Sequence, residues 1–395
     1  MTDSPLAHHV YLIPGLFGFG KLAGYDYFEH LERELAERFR AAGVALHLTV
    51  VTTPPTASMP ARAQIVAKAI AAAGVPGSHP IHLIGHSTGG LDARLLLSPG
   101  VRLPLSQAEL AWTGQVRSVI TINTPHYGTP LAGYFTTTAG TRMLYVLSLL
   151  TVASLGIGQL PLSAVAAALR AFTGLDARLG LELKVLDELT TRVLHFVGEE
   201  GRDEIRRYLQ NLKYDQAGIM QLMPEVMELF NATVSDHPGV RYGCVATASP
   251  PPGPGRIMAA IGRPISSLHL AAYTLLYGFA SSAASRYPYA SPTAAQTSAL
   301  SGVIAGGARA QTVDGIVPTL SMLWGELLWC GVADHLDIVG HFGHLDPRHA
   351  ASRAEKAHKP QVHVDWLRSG ASFGRREFTA LADALGAFLL REPAS

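Results

Sequence analysis

The sequence predicts an α/β fold built on a mostly parallel sheet with helices on both faces. Short runs of Val, Ile and Leu at residues 10–13, 44–51, 81–84 and 116–122 alternate with longer stretches of helical period. Such alternation sets parallel strands side by side through crossover helices. A chain of 395 residues, 48% hydrophobic and only 15% charged, can also bury the two-sided core that such a sheet requires.

Taken in order, Val10-Tyr11-Leu12-Ile13 reads as a buried strand followed by the glycine-rich loop Pro14 to Gly20. That loop lacks the Gly-Lys-Ser/Thr ending of a phosphate-binding loop. Asp26 to Glu29 has the form of a capping box with Asp26 as N-cap. The helix it opens carries Phe28, Leu31, Leu35 and Phe39 on one face and closes at Gly43. A strand over 44–51, a Pro-rich loop over 52–58 and a helix marked by Ile65, Val66, Ala69 and Ile70 come next.

Residues 80–97 are the stretch around which the chain is organised. Ile81, Leu83 and Ile84 form a short buried strand, Gly85-His86-Ser87-Thr88-Gly89 a tight turn, and Leu91, Leu95 and Leu96 a helix. A G-x-S-x-G turn between strand and helix crowds the neighbours of its serine, so only small residues fit two positions either side. The serine is lifted clear of the sheet at a helix N-terminus, where N–H groups favour developing negative charge. Ser87 is therefore the candidate nucleophile. The oxyanion donors expected by position are the backbone N–H groups of Thr88, directly after it, and of Leu16 in the early loop.

After the strand at 116–122 the rhythm breaks. Residues 131–238 carry helical signals without a convincing strand, and Arg142 to Arg170 contains no charged residue between its ends. Gly156, Gly158 and Pro161 interrupt that run, which argues against a transmembrane span. The alternatives are buried helix in a large domain and a mobile cap over a lipid-sized pocket; the cap is the reading adopted. The expected organisation is a core of 1–130 and 239–395, a helical cap or lid over 131–238, and a second apolar insertion at about 256–311. Arg241 to Ala248 resumes as a strand, Gly315 to Trp329 reads as a helix, and Phe378 to Leu389 gives the last amphipathic helix.

A serine hydroxyl needs an imidazole within hydrogen-bond reach and a carboxylate to fix that imidazole's tautomer. In this arrangement the chain order is Ser, acid, His. Asp314, on a turn followed by Gly315, is the candidate acid; an Asx-turn opening the next element is its structural alternative. Of 17 histidines, His335, His341, His344 and His349 fall on the right loop. His335 is the candidate base and His341 the second choice. His82 and His86 are expected to pack. His335, Asp337, His341, His344, Asp346 and His349 include metal-ligand types, but no matching second ligand set accompanies them, and no metal is expected from the residues alone.

With these residues assembled, the chain resembles the bacterial triacylglycerol lipases and esterases of the α/β-hydrolase fold. Ile13 to Gly18 looks like that family's His-Gly-Leu oxyanion segment, with Pro14 in place of its His. Gly85 to Leu91 is similar to its Gly-His-Ser-Gln-Gly-Gly-Leu elbow, and Thr124-Pro125-His126-Tyr127-Gly128 to its Thr-Pro-His-Arg-Gly loop. Asp314 to Val317 and His335-Leu336-Asp337 match its acid and base segments in order. The resemblance implies a Ser87-Asp314-His335 triad and a structural calcium through Asp337, for which no upstream Asp offers itself as partner. It covers the sheet and active-site framework and neither insertion.

The function expected is hydrolysis of lipophilic carboxylic esters through an acyl-enzyme, with no cofactor. The alternatives are acyl transfer or polyester or lactone hydrolysis on the same framework, and, more remotely, non-catalytic lipid binding. The expected partner is a lipophilic ester, with lipid-interface contact through the cap. A net charge of +1 with scattered basic residues points to no nucleic acid. Cys244 and Cys330 are expected as reduced thiols. The N-terminus has no basic and apolar signal pattern, so the cytoplasm is the expected location, unlike the typically secreted members of the family.

Overall fold

The computed structural model describes residues 6–16, 21–22, 25–156, 215–260, 264–282, 291–343 and 367–391, with isolated positions between 190 and 210, at 289 and within 362–365. Six strands form one sheet: β1 (Ala7–Ile13), β2 (Ala45–Val50), β3 (Ile81–His86), β4 (Val116–Ile122), β5 (Arg241–Ala248) and β6 (Glu326–Val332). All neighbours pair in parallel, in the order β2-β1-β3-β4-β5-β6. β3 is buried along its whole length, as a strand covered on both faces must be.

The two faces carry different helices. On one, α1 (Glu29–Ala41) and the C-terminal helix (Arg375–Leu390) bury Phe28, Leu31, Leu35 and Phe39 together with Phe378, Leu381, Leu385 and Phe388. On the other, α2 (Met59–Ala72) and α3 (Thr88–Leu97) bury Val66, Ile70, Leu91 and Leu95. The apolar stripes read from period 3.6 are the buried ones. Strand order reverses between β1 and β3, because the connection to β2 runs outward and every later one runs the other way. The crevice beyond the carboxyl ends of β1 and β3 is therefore the switch point where open α/β sheets bind ligands.

A third cluster covers that crevice. The helices Pro130–Phe135, Thr138–Gly156 and Pro264–Ser282 contribute Phe135, Leu144, Leu147, Leu268, Tyr273 and Leu276, which pack with Leu16, Ile316 and Val317. Tyr134 stacks on Phe279 with ring centroids 3.9 Å apart, joining the stretch after β4 to the second apolar stretch. Residues 157–189 of the expected cap, and most of 190–214, lie outside the described residues. Among those described, no helix is long and apolar enough to cross a membrane.

Two local expectations fail. The first helix begins at Glu29 with Phe28 as N-cap and no side-chain cap, while Asp26 sits in a two-residue strand with Lys21 opposite. Residues 315–329 are not a helix. A 3₁₀ turn at Thr319–Met322 leads to Gly325 and then into β6. Gly325 has φ +72°, and a Cβ there would lie 2.3 Å from the Tyr242 carbonyl oxygen. The apolar spacing of this segment fits a helix, but its backbone must turn sharply against β5 before it can pair.

Candidate active site

Ser87 stands between β3 and α3 with φ 54° and ψ −125°. A non-glycine residue held there costs about 1–3 kcal/mol and persists only where its surroundings impose it. The imposition is steric. A Cβ on Gly85 would lie 2.2 Å from Gly90 N, and one on Gly89 2.2 Å from the Ile13 carbonyl oxygen. The elbow can form only because both side chains are absent.

The structure brings Ser87, His335 and Asp314 together from three separate loops. Ser87 Oγ lies 3.0 Å from His335 Nε2, and His335 Nδ1 lies 2.6 Å from Asp314 Oδ2. Because a carboxylate oxygen only accepts, Nδ1–H donates to Asp314 and Nε2 is free to accept from the serine hydroxyl. Asp314 is fully buried, and its two oxygens accept further hydrogen bonds from Ile316 N (2.9 Å), Val317 N (2.7 Å) and Asn123 Nδ2 (3.0 Å). The Asx-type turn and the contact with His335 thus coexist on one carboxylate. His341 is buried behind this group, its ring 6.0 Å from that of Tyr27. His344, Asp346 and His349 lie outside the described residues.

Two residues support the site beyond what sequence reasoning assigned them: Asn123 was not singled out, and His86 was expected only to pack. Asn123, at φ 47°, donates through Nδ2 to both Asp314 Oδ2 and Thr247 Oγ1, the latter at 2.7 Å. Its signal was an Asn at a strand end, a residue type that tolerates the left-handed region. His86, inside the elbow, pairs its Nε2 with the His335 carbonyl oxygen at 2.9 Å and its Nδ1 with the Tyr27 hydroxyl at 2.8 Å. A carbonyl only accepts, so Nε2 carries the hydrogen and Nδ1 accepts from Tyr27. Burial, reinforced by the neighbouring His335, holds the His86 imidazole well below its usual range and hence neutral. It fixes the backbone of the residue whose side chain faces Ser87.

Leu16 and Thr88 flank the serine. Thr88 N is among the first N–H groups of α3, which lack intrahelical acceptors. The Gly15-Leu16 backbone passes so close that a Cβ on Gly15 would lie 3.1 Å from Ser87 Oγ. Arg62, buried in α2, holds this segment by donating from Nη2 to the Pro14 carbonyl at 2.6 Å and from Nε to Asp92 Oδ2 at 2.9 Å. Asp92 lies on α3, so one guanidinium ties the Leu16 loop to the helix that begins at Thr88. Burial pushes the Asp92 carboxyl up to about 6, although Arg62 pulls it down.

Ser87 and His335 open on a pocket lined otherwise by apolar side chains and Thr129. Leu16, Ile316 and Val317 belong to the loops of the sheet, whereas Ala132, Phe135, Ile219 and Leu222 come from the stretch between β4 and β5. Such a surface suits a hydrocarbon chain.

Beside His335, carboxylate oxygens of Asp334, Asp337 and Asp365 lie within 4.8 Å of one another. Asp334 and Asp337 are buried, and Asp334 Oδ2 and Asp337 Oδ1 find no hydrogen-bond donor. Burial, followed by the mutual repulsion of these carboxyls, raises both above the ordinary carboxylate range. Three carboxylates, with oxygens of Asp334 and Asp337 that make no hydrogen bond, fit a hard divalent cation such as calcium, with His363 Nδ1 3.6 Å from Asp337 Oδ1 at the edge of the set. The expectation that Asp337 has no upstream Asp partner fails: Asp334, three residues before it, and Asp365, downstream, both bring an oxygen within reach. A cation there would hold the loop carrying His335 against Asp365. Calcium at about 100 times its Kd should then add about 2.7 kcal/mol of stability. The check is the melting temperature in CaCl₂ against EGTA. The shift should vanish in Asp337→Asn, and its absence in the native chain would rule out calcium binding here.

The fold has counterparts among solved structures. The chain is similar to lipase 1 from Pelosinus fermentans, with a TM-score of 0.50 at 16% identity over 96% of this chain and 99% of that one. EstA from Clostridium botulinum aligns with a TM-score of 0.48 at 20% identity, covering 96% and 90%. Staphylococcus hyicus lipase aligns with 0.47 at 17%, covering 98% and 96%. No family model and no curated protein matches the sequence. At such identities the likeness speaks for architecture alone: the chain has the α/β-hydrolase fold, with a six-stranded parallel sheet as in lipase structures.

Proposed function

We propose that the protein is a serine carboxylic-ester hydrolase of the lipase and esterase type, acting on lipophilic acyl esters. The observation that carries this reading is the hydrogen-bonded line Ser87–His335–Asp314 opening on an apolar pocket. In the reaction proposed, Ser87 Oγ attacks the ester carbonyl while His335 Nε2 takes the hydroxyl proton. Asp314 holds the imidazole and stabilises the imidazolium. The N–H groups of Leu16 and Thr88 receive the oxyanion, each donor contributing about 10²–10³-fold in kcat. His335 returns its proton to the departing alcohol. It then takes one from water, which attacks the acyl-enzyme, and passes that proton to Ser87 Oγ as the carboxylic acid leaves.

The pocket supports a hydrocarbon acyl group as the specificity element. Part of its wall comes from 131–238, which favours reading that stretch as a cap over the core, shielding the acyl chain and meeting a lipid interface. Each methylene buried there contributes about 0.8 kcal/mol, about fourfold in kcat/KM, until the pocket is filled. The test is a series of p-nitrophenyl esters from acetate to palmitate, together with a fluorophosphonate that labels activated serines. The expected result is turnover rising with chain length to a plateau, and one label per chain on Ser87. A folded protein that turns over no ester, or labels at another residue, would overturn the proposal.

A further inference from the structure

The end of the sheet opposite Ser87 gathers histidines. His8 and His9 lie on β1, His47 on β2, His82 on β3, and His79 in the loop that enters β3. Alternation along β1 sends His8 and His9 to opposite faces. On the first face the imidazoles form a closed hydrogen-bonded chain. His8 Nδ1 lies 2.9 Å from His82 Nε2, and His82 Nδ1 lies 2.8 Å from Ser118 Oγ.

The other face is different. His9 Nε2 lies 3.3 Å from His79 Nδ1, and the His9 ring stacks on that of its cross-strand neighbour His47 with centroids 4.6 Å apart. The His9 N–H donates to the Pro80 carbonyl at 2.9 Å, so strand and loop present the His9 and His79 imidazoles from a fixed backbone. His9 and His79 are partly exposed and His47 is exposed, which gives an ion in solution access to all three.

We infer that His9, His79 and His47 form a binding site for a divalent first-row transition ion, zinc first among them. Two ligands at about 2.0–2.1 Å from a tetrahedral zinc stand about 3.3–3.4 Å apart, which is the separation of His9 Nε2 and His79 Nδ1. Imidazole nitrogen suits zinc, copper and nickel, whereas the Asp334-Asp337-Asp365 oxygens suit calcium or magnesium. The two clusters therefore select different ions. Rotation about the side-chain bonds of His47 supplies the third imidazole, and water completes the shell. The ion is structural. It clamps edge strand β2 to β1 and to the entry of β3, and it takes no part at Ser87.

Equilibrium dialysis of the chelator-stripped protein against micromolar ZnCl₂, with millimolar CaCl₂ present to occupy the carboxylate cluster, tests the site. The expected result is one zinc per chain, with affinity lowered roughly tenfold or more in His9→Gln and His79→Gln and several-fold in His47→Gln. Esterase activity should be unchanged and serves as the folding control. Copper loaded into the native chain should show hyperfine coupling to two or three nitrogens by electron paramagnetic resonance, a reading that needs no variant. Undiminished zinc affinity in His9→Gln and His79→Gln, no uptake by the native chain, or a copper spectrum with oxygen ligands only would overturn the inference.

Discussion

Ser87→Ala should lower kcat for ester hydrolysis by on the order of 10⁶, and adding His335→Ala should lower it no further. The three side chains sit in one hydrogen-bonded line, so removing either end of the Ser87–His335 contact removes the same event: attack with simultaneous proton transfer. Asp314→Asn should cost about 10⁴-fold in kcat at nearly constant KM. The new amide would present an NH₂ group either to His335 Nδ1 or to the Ile316 and Val317 N–H donors. In the first orientation Nδ1 becomes an acceptor, Nε2 carries the hydrogen, and the imidazole can no longer take the serine proton. In the second orientation two backbone donors face a third donor, which is worse. Asn123 Nδ2 already points at Oδ2, so the amide also loses that partner whenever its NH₂ faces His335. Initial rates on a medium-chain p-nitrophenyl ester, with thermal unfolding of each variant as control, decide the matter. Additive losses in the double variant would show that Ser87 and His335 do not act as one unit. Activity retained in His335→Ala would move the base elsewhere, with His341 the next candidate.

The elbow was legible because its chemistry is also its steric requirement. Gly85 and Gly89 are demanded by backbone atoms of their own turn and of Ile13, and such a constraint leaves a pattern five residues long. The strands β1, β3, β4 and β5 were legible for a related reason: largely buried on two faces, they read as short apolar runs bounded by turn residues, while edge strand β2 alternates exposed and half-buried residues. β6 was not, since the spacing of its apolar residues fits a helix and only the close approach of Gly325 to Tyr242 decides otherwise. Asn123, His86 and Arg62 support the site through partners 30 to 249 positions away in sequence, and no local pattern announces such contacts. Of the carboxylate trio only Asp337 was read as a cation ligand. Asp334, beside His335, was passed over as its partner, and Asp365 reaches them only through the fold.

Arg62→Met should destabilise the protein by about 3–5 kcal/mol, because it leaves Asp92 buried without its partner. Arg62→Met with Asp92→Leu should recover much of that loss, since an apolar pair of similar volume avoids the desolvation cost of both charges. Activity should not return with stability. The Pro14 carbonyl would still lack the guanidinium that holds it at 2.6 Å, and Pro54, which accepts from Nη1 at 2.8 Å, would be released as well. The loop carrying Leu16, the proposed oxyanion donor, then loses this anchor, and a donor that must be reoriented during the reaction contributes less than one already in place. The double variant should therefore melt close to the native chain yet show kcat reduced by roughly 10–10²-fold, bounded by the 10²–10³-fold worth of one oxyanion donor. KM should change little, because the pocket proposed to take the acyl chain is lined by Leu222, Ile219 and Phe135 and not by this pair. Denaturant titration and the split between kcat and KM separate the two effects. A double variant with native kcat would show that Arg62 serves stability alone. One that restores neither would place the ion pair's worth in the specific geometry of α2 against α3 and not in its charges.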